Sequence, residues 1–270
     1  MKISLLCFCF LVSIRAIAQD HGHLNIGAAN PMPGEPLIFA NRELFETDAN
    51  YVKTLTLAAS GTYAGYYQGN LTIVGLAATE LRGGPEEFAA ALGAQIHAQL
   101  VAVDGPPDGE FAFWESGATS PTFSLSSGST GTNTWRVSEN DGSPDSDPYG
   151  HIHGRRFTVN KPGIYTVSFR AIDMSTNGLN GGPIHPASSV VQIYFQAGAN
   201  IKSVSLSESG ARVIFSAPVG NTWVVEGCDN LTANAEWTTL SSSVVGDDYF
   251  HEFIDENPPE SGRFYRLRGF

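Results

Sequence analysis

The chain carries only three cysteines, and two of them, Cys7 and Cys9, lie in its opening apolar stretch. Once that stretch is removed Cys228 stands alone, so no disulfide can close within the mature chain. Cys228 then reads as a small buried apolar residue. Charge is also sparse, at 16% of residues, and unbalanced: 27 acidic against 15 basic side chains. An acidic exterior repels phosphate backbones and anionic lipid, which excludes nucleic acid and charged membrane surfaces as partners. No apolar run approaches the roughly 20 residues that a membrane-spanning helix needs. Catalytic signatures are missing too. There is no Gly-x-Ser-x-Gly elbow, His-Glu-x-x-His pair, phosphate-cradling glycine loop or cysteine nucleophile in context. Glu86, Glu87 and Glu115 are carboxylates to which the sequence assigns no partner.

What is present begins with an export signal. Lys2 is followed by an apolar run over 3–14 and by Ala16-Ile17-Ala18, the small-x-small form cut by signal peptidase. Cleavage after Ala18 sends the protein to the periplasm or outer surface. Losing the two positive charges of Lys2 and Arg15 moves the formal net charge from −12 to −14. No small-residue box precedes Cys7 or Cys9, which argues against a lipid anchor. The sequence stops at Arg266-Leu267-Arg268-Gly269-Phe270 without a hydrophobic tail, and it reads as released. Export without disulfides is sustainable because a chain of this size can bury enough apolar surface.

Glycine is abundant, and short alternating segments recur between Gly, Pro, Asn, Asp and Ser clusters, the pattern of an all-β protein. Strands are expected over 37–40, 54–57, 69–76, 95–103, 110–115, 122–125, 134–139, 155–159, 163–172 and 189–196. One helical turn is expected over 85–92, started by Pro85 and stopped by Gly93. Gly198 and Asn200 interrupt the pattern. A His-rich antiparallel β-sandwich over 19–198, immunoglobulin-like or jelly-roll-like, is therefore expected. A smaller β-domain over 201–270 follows, with strands near 203–207, 212–216, 222–227, 236–240, 249–254 and 263–268.

The chemistry lies in the histidines. His21-Gly22-His23 opens the mature chain, His151-Ile152-His153 follows an acidic loop, and His185 is framed by Gly181-Gly182-Pro183 and Pro186. Residues two apart on a strand share a face about 6.6–7 Å apart, so both rings of a pair can turn to one ion. Imidazole suits zinc, copper, nickel and iron, and zinc takes a tetrahedron of such nitrogens. Two pairs would fill it, and one pair with His185 would supply three of its four corners. Asp20, Asp145 and Asp147 stand beside the pairs as ligands, ring-orienting partners or simple turn residues. His97 reads as an exposed strand position and His251 as structural. The oxygen-rich loop 140–147 resembles a calcium site, but it lacks EF-hand glutamate spacing, and Pro144 and Pro148 favour a plain turn. Tyr63, Tyr66 and Tyr67, with Trp114 and Trp135, could form a sugar-stacking platform or core.

Three segments carry a family resemblance. They are Asp20-His21-Gly22-His23-Leu24-Asn25-Ile26-Gly27, Thr62-Tyr63-Ala64-Gly65-Tyr66-Tyr67-Gln68-Gly69-Asn70, and Tyr149-Gly150-His151-Ile152-His153-Gly154-Arg155-Arg156-Phe157-Thr158. The third continues into Lys161-Pro162-Gly163-Ile164-Tyr165-Thr166-Val167. Over about 20–198 the chain resembles PEP-CTERM-type secreted proteins whose genes are controlled by the zinc-uptake repressor. More distantly it is similar to the actinobacterial surface-anchored repeat domain. The resemblance implies zinc acquisition or storage outside the cytoplasm. Trp237 and Phe264-Tyr265-Arg266-Leu267 resemble a C-terminal module of secreted proteins in Verrucomicrobia-like bacteria.

The expectation is thus a secreted, non-enzymatic protein binding Zn2+, with Cu2+ as alternative, through His21, His23, His151, His153 and His185, with Asp147 in support. The ion would also pin an otherwise loose N-terminal segment. A metal-uptake transporter or a cell-surface component would be its partner. Two rival readings are an adhesive or carbohydrate-binding β-module without metal, and a metalloenzyme whose histidine site keeps an open position.

Overall fold

The computed structural model describes residues 23–76, 87–139, 155–232 and 235–270. In chain order the strands are Leu24–Ala28 (β1), Leu37–Phe39 (β2), Lys53–Leu57 (β3), Tyr67–Gly69 (β4), Ile73–Gly75 (β5), Gln95–Asp104 (β6) and Glu110–Trp114 (β7). Next come Phe123–Ser126 (β8), Ser129–Thr130 (β9), Thr134–Glu139 (β10), Arg156–Val159 (β11), Gly163–Asp173 (β12) and Val191–Ala197 (β13). The last are Asn200–Ser207 (β14), Gly210–Ser216 (β15), Thr222–Cys228 (β16), Thr238–Thr239 (β17), Val244–Val245 (β18), His251–Asp255 (β19) and Phe264–Gly269 (β20). Among the described residues helix is confined to 3₁₀ turns at Arg42–Leu44 and Leu179–Gly181. The protein is all-β, as the alternation and turn residues predict. No helix among the described residues is long and apolar enough to cross a membrane.

The main sheet runs β10-β6-β12-β13-β3-β4-β11-β7-β8, with β9 paired to β6. It curls almost into a barrel, bringing its end strands together where Phe123 of β8 meets Trp135 of β10 at 6.0 Å between ring centroids. Inward positions of the alternating strands supply the filling. Phe111, Phe113, Phe157, Phe169 and Phe195 are each no more than 2% exposed. Phe113 stacks on Trp135 at 4.6 Å, and Phe111 meets Phe195 edge-on at 4.9 Å. Each such ring contributes roughly 1.5–3 kcal/mol by leaving water.

Most pairings are antiparallel, as expected, but β1 with β5 and β13 with β3 are parallel. Both join strands distant in sequence, where no tight hairpin forces an antiparallel partner. Three expectations need correction. The segment 69–76 is not one strand: β4 pairs with β3 and β11, β5 pairs with β1, and 70–72 cross from one sheet to the other. The helical turn is not formed over 87–92, where Phe88 takes the left-handed φ of 61° and its carbonyl accepts from Ala28 N–H at 2.7 Å. Residues 85–86 of that expectation lie outside the described residues. The N-terminal segment is not loose from Leu24 on, because β1 is buried between β2 and β5.

The Lys161-Pro162-Gly163-Ile164-Tyr165 stretch is a turn with a fixed geometry. Gly163 has φ +135°, and a Cβ there would stand 2.6 Å from the Pro106 ring. Tyr165 is fully buried and donates its hydroxyl to the Lys161 carbonyl at 3.0 Å, closing the turn onto the core.

Beyond Ala197 the strands build two further sheets, β14-β15-β19 and β17-β16-β18, with β20 also paired to β16. Val213, Phe215 and Val225 form their small apolar centre. Cys228 is buried there, its thiol 3.0 Å from the Asn230 carbonyl. These sheets are fastened to the main one. Asp248 accepts from the Thr54 N–H at 2.8 Å and from its hydroxyl at 2.5 Å, and it pairs with Lys53. Gln196 donates to the Ser216 carbonyl at 3.1 Å.

Candidate metal site at the 70–73 crossing

His23 immediately precedes β1 and is half-buried. Its carbonyl accepts from Asn41 Nδ2 at 2.8 Å, while Asn41 Oδ1 accepts from the Asn25 N–H at 2.9 Å, so one amide side chain clamps both sides of Leu24. The Leu24 N–H donates to the Thr72 carbonyl at 2.9 Å. His23 therefore stands at the crossing segment between the two sheets.

Arg155 stands at the same segment. Phe157 of β11 pairs with Gly69, the residue just before the crossing. Residues 70–73 line a small cleft with Phe113, Trp135, Arg155 and Phe157. Arg155, 8% exposed, is fixed by a two-pronged pair with Glu115, Nε to Oε1 at 2.7 Å and Nη2 to Oε2 at 3.2 Å. Burial alone would raise the Glu115 pKa. The Arg155 hydrogen bond, the Ser116 N–H and the Arg155 charge outweigh it and hold the carboxyl below its usual range. Glu115, left unassigned by sequence, is thus the counter-ion of the residue that follows the second histidine pair.

His21, His151, His153 and Asp147 lie outside the described residues, as do Asp20, Asp145 and the 140–147 loop. Among the described residues no group of three or more His, Cys, Asp or Glu side chains is set to hold a metal ion.

His185, expected as a ligand, has neither ring nitrogen available. It is fully buried; Nδ1 lies 2.7 Å from the Glu35 carbonyl, and Nε2 accepts from the Ala91 N–H at 2.9 Å. Those partners require the neutral ring with its proton on Nδ1. A metal at Nε2 would have to displace the Ala91 amide. His185 instead ties together three separate loops, since its own N–H donates to Asp173 at 3.0 Å. Asp173 also accepts from Gln95 N, Ser175 N and Ser175 Oγ, at 2.9, 2.9 and 3.0 Å. The Gly/Pro frame that made this histidine look like a ligand shapes a buried junction.

His97 departs from expectation the other way. It is half-buried on β6, between Arg136 of β10 and Ile172 of β12, and its Nδ1 is buried without a hydrogen-bond partner. Burial first, then the charges of Arg136 and Arg155, lower its pKa and favour the neutral ring. Simple alternation with Ile96 and Ala98 carries no sign of this. His251 is structural, its Nε2 at 2.8 Å from Asp247. The tyrosine–tryptophan platform is also resolved: Trp114 and Trp135 are core, and Tyr63 and Tyr66 pack edge-on against Trp114 at 5.0 and 5.8 Å.

A comparison with protein-family models found no match, and a comparison with curated proteins found no relative.

Proposed function

We propose that this is an exported transition-metal-binding protein, for zinc first and copper second, acting in extracytoplasmic metal acquisition or storage. Its ligands are His21 and His23 from one chain segment and His151 and His153 from another, with Asp147 in support; His185 is withdrawn from the set. One observation supports the reading. His23 immediately precedes Leu24, whose N–H bonds the Thr72 carbonyl, and Arg155, two residues after His153, lines a cleft with the same 70–73 segment. Two extended residues reach about 7 Å, so histidines more than a hundred positions apart in sequence have short tethers to one crossing. Neutral imidazoles on such tethers are suited to a tetrahedral ion. A metal-uptake transporter or surface component would receive the metal.

Calorimetry of the mature protein with zinc and with copper tests this, supported by elemental analysis of untagged material. Binding at micromolar metal, weakened at least about tenfold by His23→Ala and by His151→Ala/His153→Ala, is the expected result. His185→Gln should lower the melting temperature and leave the affinity unchanged. No binding at micromolar zinc or copper, or full affinity in the double variant, sinks the proposal.

A further inference from the structure

The outer face of the main sheet carries a groove of about 480 Å³ bordered by β6, β9, β12 and β13. Its lining is ordered by strand register. One row runs Thr130, Ala102, Ser168, Gln192 across β9, β6, β12 and β13, and it ends at Thr47, whose N–H donates to the Gln192 carbonyl at 3.1 Å. A second row, two residues along, runs Asp104, Thr166, Tyr194. Neighbours in a row are one strand spacing apart, about 4.8 Å, a pitch close to the length of one pyranose unit.

The chemistry of the lining is narrow. Hydroxyls from Thr47, Ser129, Thr130, Thr166 and Ser168 stand with the Gln192 amide, the Asp104 carboxylate and the Tyr194 ring. Gln192 and Ser168 make one long contact with each other, at 3.3 Å. Among the described residues the hydroxyls of Thr47, Thr130 and Thr166 have no protein partner, so their bonding capacity faces the groove. Tyr194 meets Phe250 edge-on at 5.9 Å, and Lys202 Nζ lies over one face of its ring at 4.5 Å from the centroid, which leaves the other face for a ligand. The lining has no cation to receive an anion, only Ala102 and Val103 as aliphatic surface for an apolar segment, and a single carboxylate for a metal.

We propose that this groove binds a neutral oligosaccharide laid across the strands, its hydroxyls meeting the two rows of polar side chains and one apolar ring face resting on Tyr194. Asp104 and the acidic chain as a whole exclude acidic glycans by repulsion. The binding stands apart from the histidine site and does not depend on metal.

The test is calorimetry of the full mature protein, in a chelator, with soluble hexasaccharides of β-1,4-glucose, β-1,3-glucose, β-1,4-xylose and β-1,4-mannose, and with polygalacturonate. At least one neutral hexasaccharide should bind with a Kd below about 1 mM, and polygalacturonate should not. Gln192→Ala, at an exposed position, and Thr166→Val should each weaken that binding about fivefold to tenfold with the melting temperature unchanged. Silence from all four neutral sugars overturns the proposal. So does binding untouched by either substitution, or equal binding of the acidic polymer.

Discussion

Two side chains show how placement alone gives a residue its role. His185 was expected as a metal ligand and Glu115 had no partner assigned from sequence; the fold uses each to satisfy a neighbour. Glu115 neutralises Arg155, whose side chain is 9% exposed while the carboxylate itself is 40% exposed. A carboxyl held below its ordinary value of 4.5 stabilises the folded state at all pH above that value. The contribution is lost as pH falls through the lowered folded value. Glu115→Gln should therefore cost about 1 kcal/mol at pH 7, modest because solvent reaches the carboxylate. It should also leave a shallower loss of stability between pH 5 and pH 3. Urea midpoints of both proteins across that range check the slope; parallel curves would show that the pair contributes nothing.

At the scale of elements, the turn before β12 is the clearest case of a motif explained by packing. Gly163 is required twice over, by its positive φ and by the Pro106 ring where a Cβ would sit. Gly163→Ala should destabilise by about 2–3 kcal/mol. Tyr165→Phe, which removes only the hydroxyl bond to Lys161, should cost about 1 kcal/mol. Thermal melts of the two variants would separate strain from a lost hydrogen bond, and a Gly163→Ala protein as stable as the parent would refute the steric account. This stretch was one of the segments that suggested a family, yet its residues here serve the fold. Of the two histidine pairs only His23 lies among the described residues, and its carbonyl is held by the Asn41 amide.

For the whole molecule, the joint between the main sheet and the later sheets is short. Only two residues separate β13 from β14, and Asp248 reaches back across it to Lys53 and Thr54. Asp248 itself holds a left-handed φ of 64°. Asp248→Ala should lower stability by about 2–4 kcal/mol, because Lys53 loses its partner in a half-dry setting. It should also open the connection near 198–199 to proteases. Limited proteolysis of parent and variant reads this directly, and identical cleavage patterns would mean that the sheets dock by other contacts.

The strand content was legible in the alternation of residues and in the turn formers between them, because period two and a glycine or proline at each end leave few alternatives. So was the burial of Cys228. The crossing at 70–72 was not legible: the alternation of Asn70, Leu71, Thr72 and Ile73 looks the same whether the strand stays in one sheet or changes sheets. Nor could spacing reveal that His185 has both nitrogens bonded while His97 has one buried without a partner, since those facts depend on amides and carbonyls from distant loops. The sequence by itself determined the kind of secondary structure and the supply of imidazoles. Tertiary structure decided which strands are neighbours and which rings are already used, because hydrogen-bond partners far apart along the chain become neighbours only when the sheet curls.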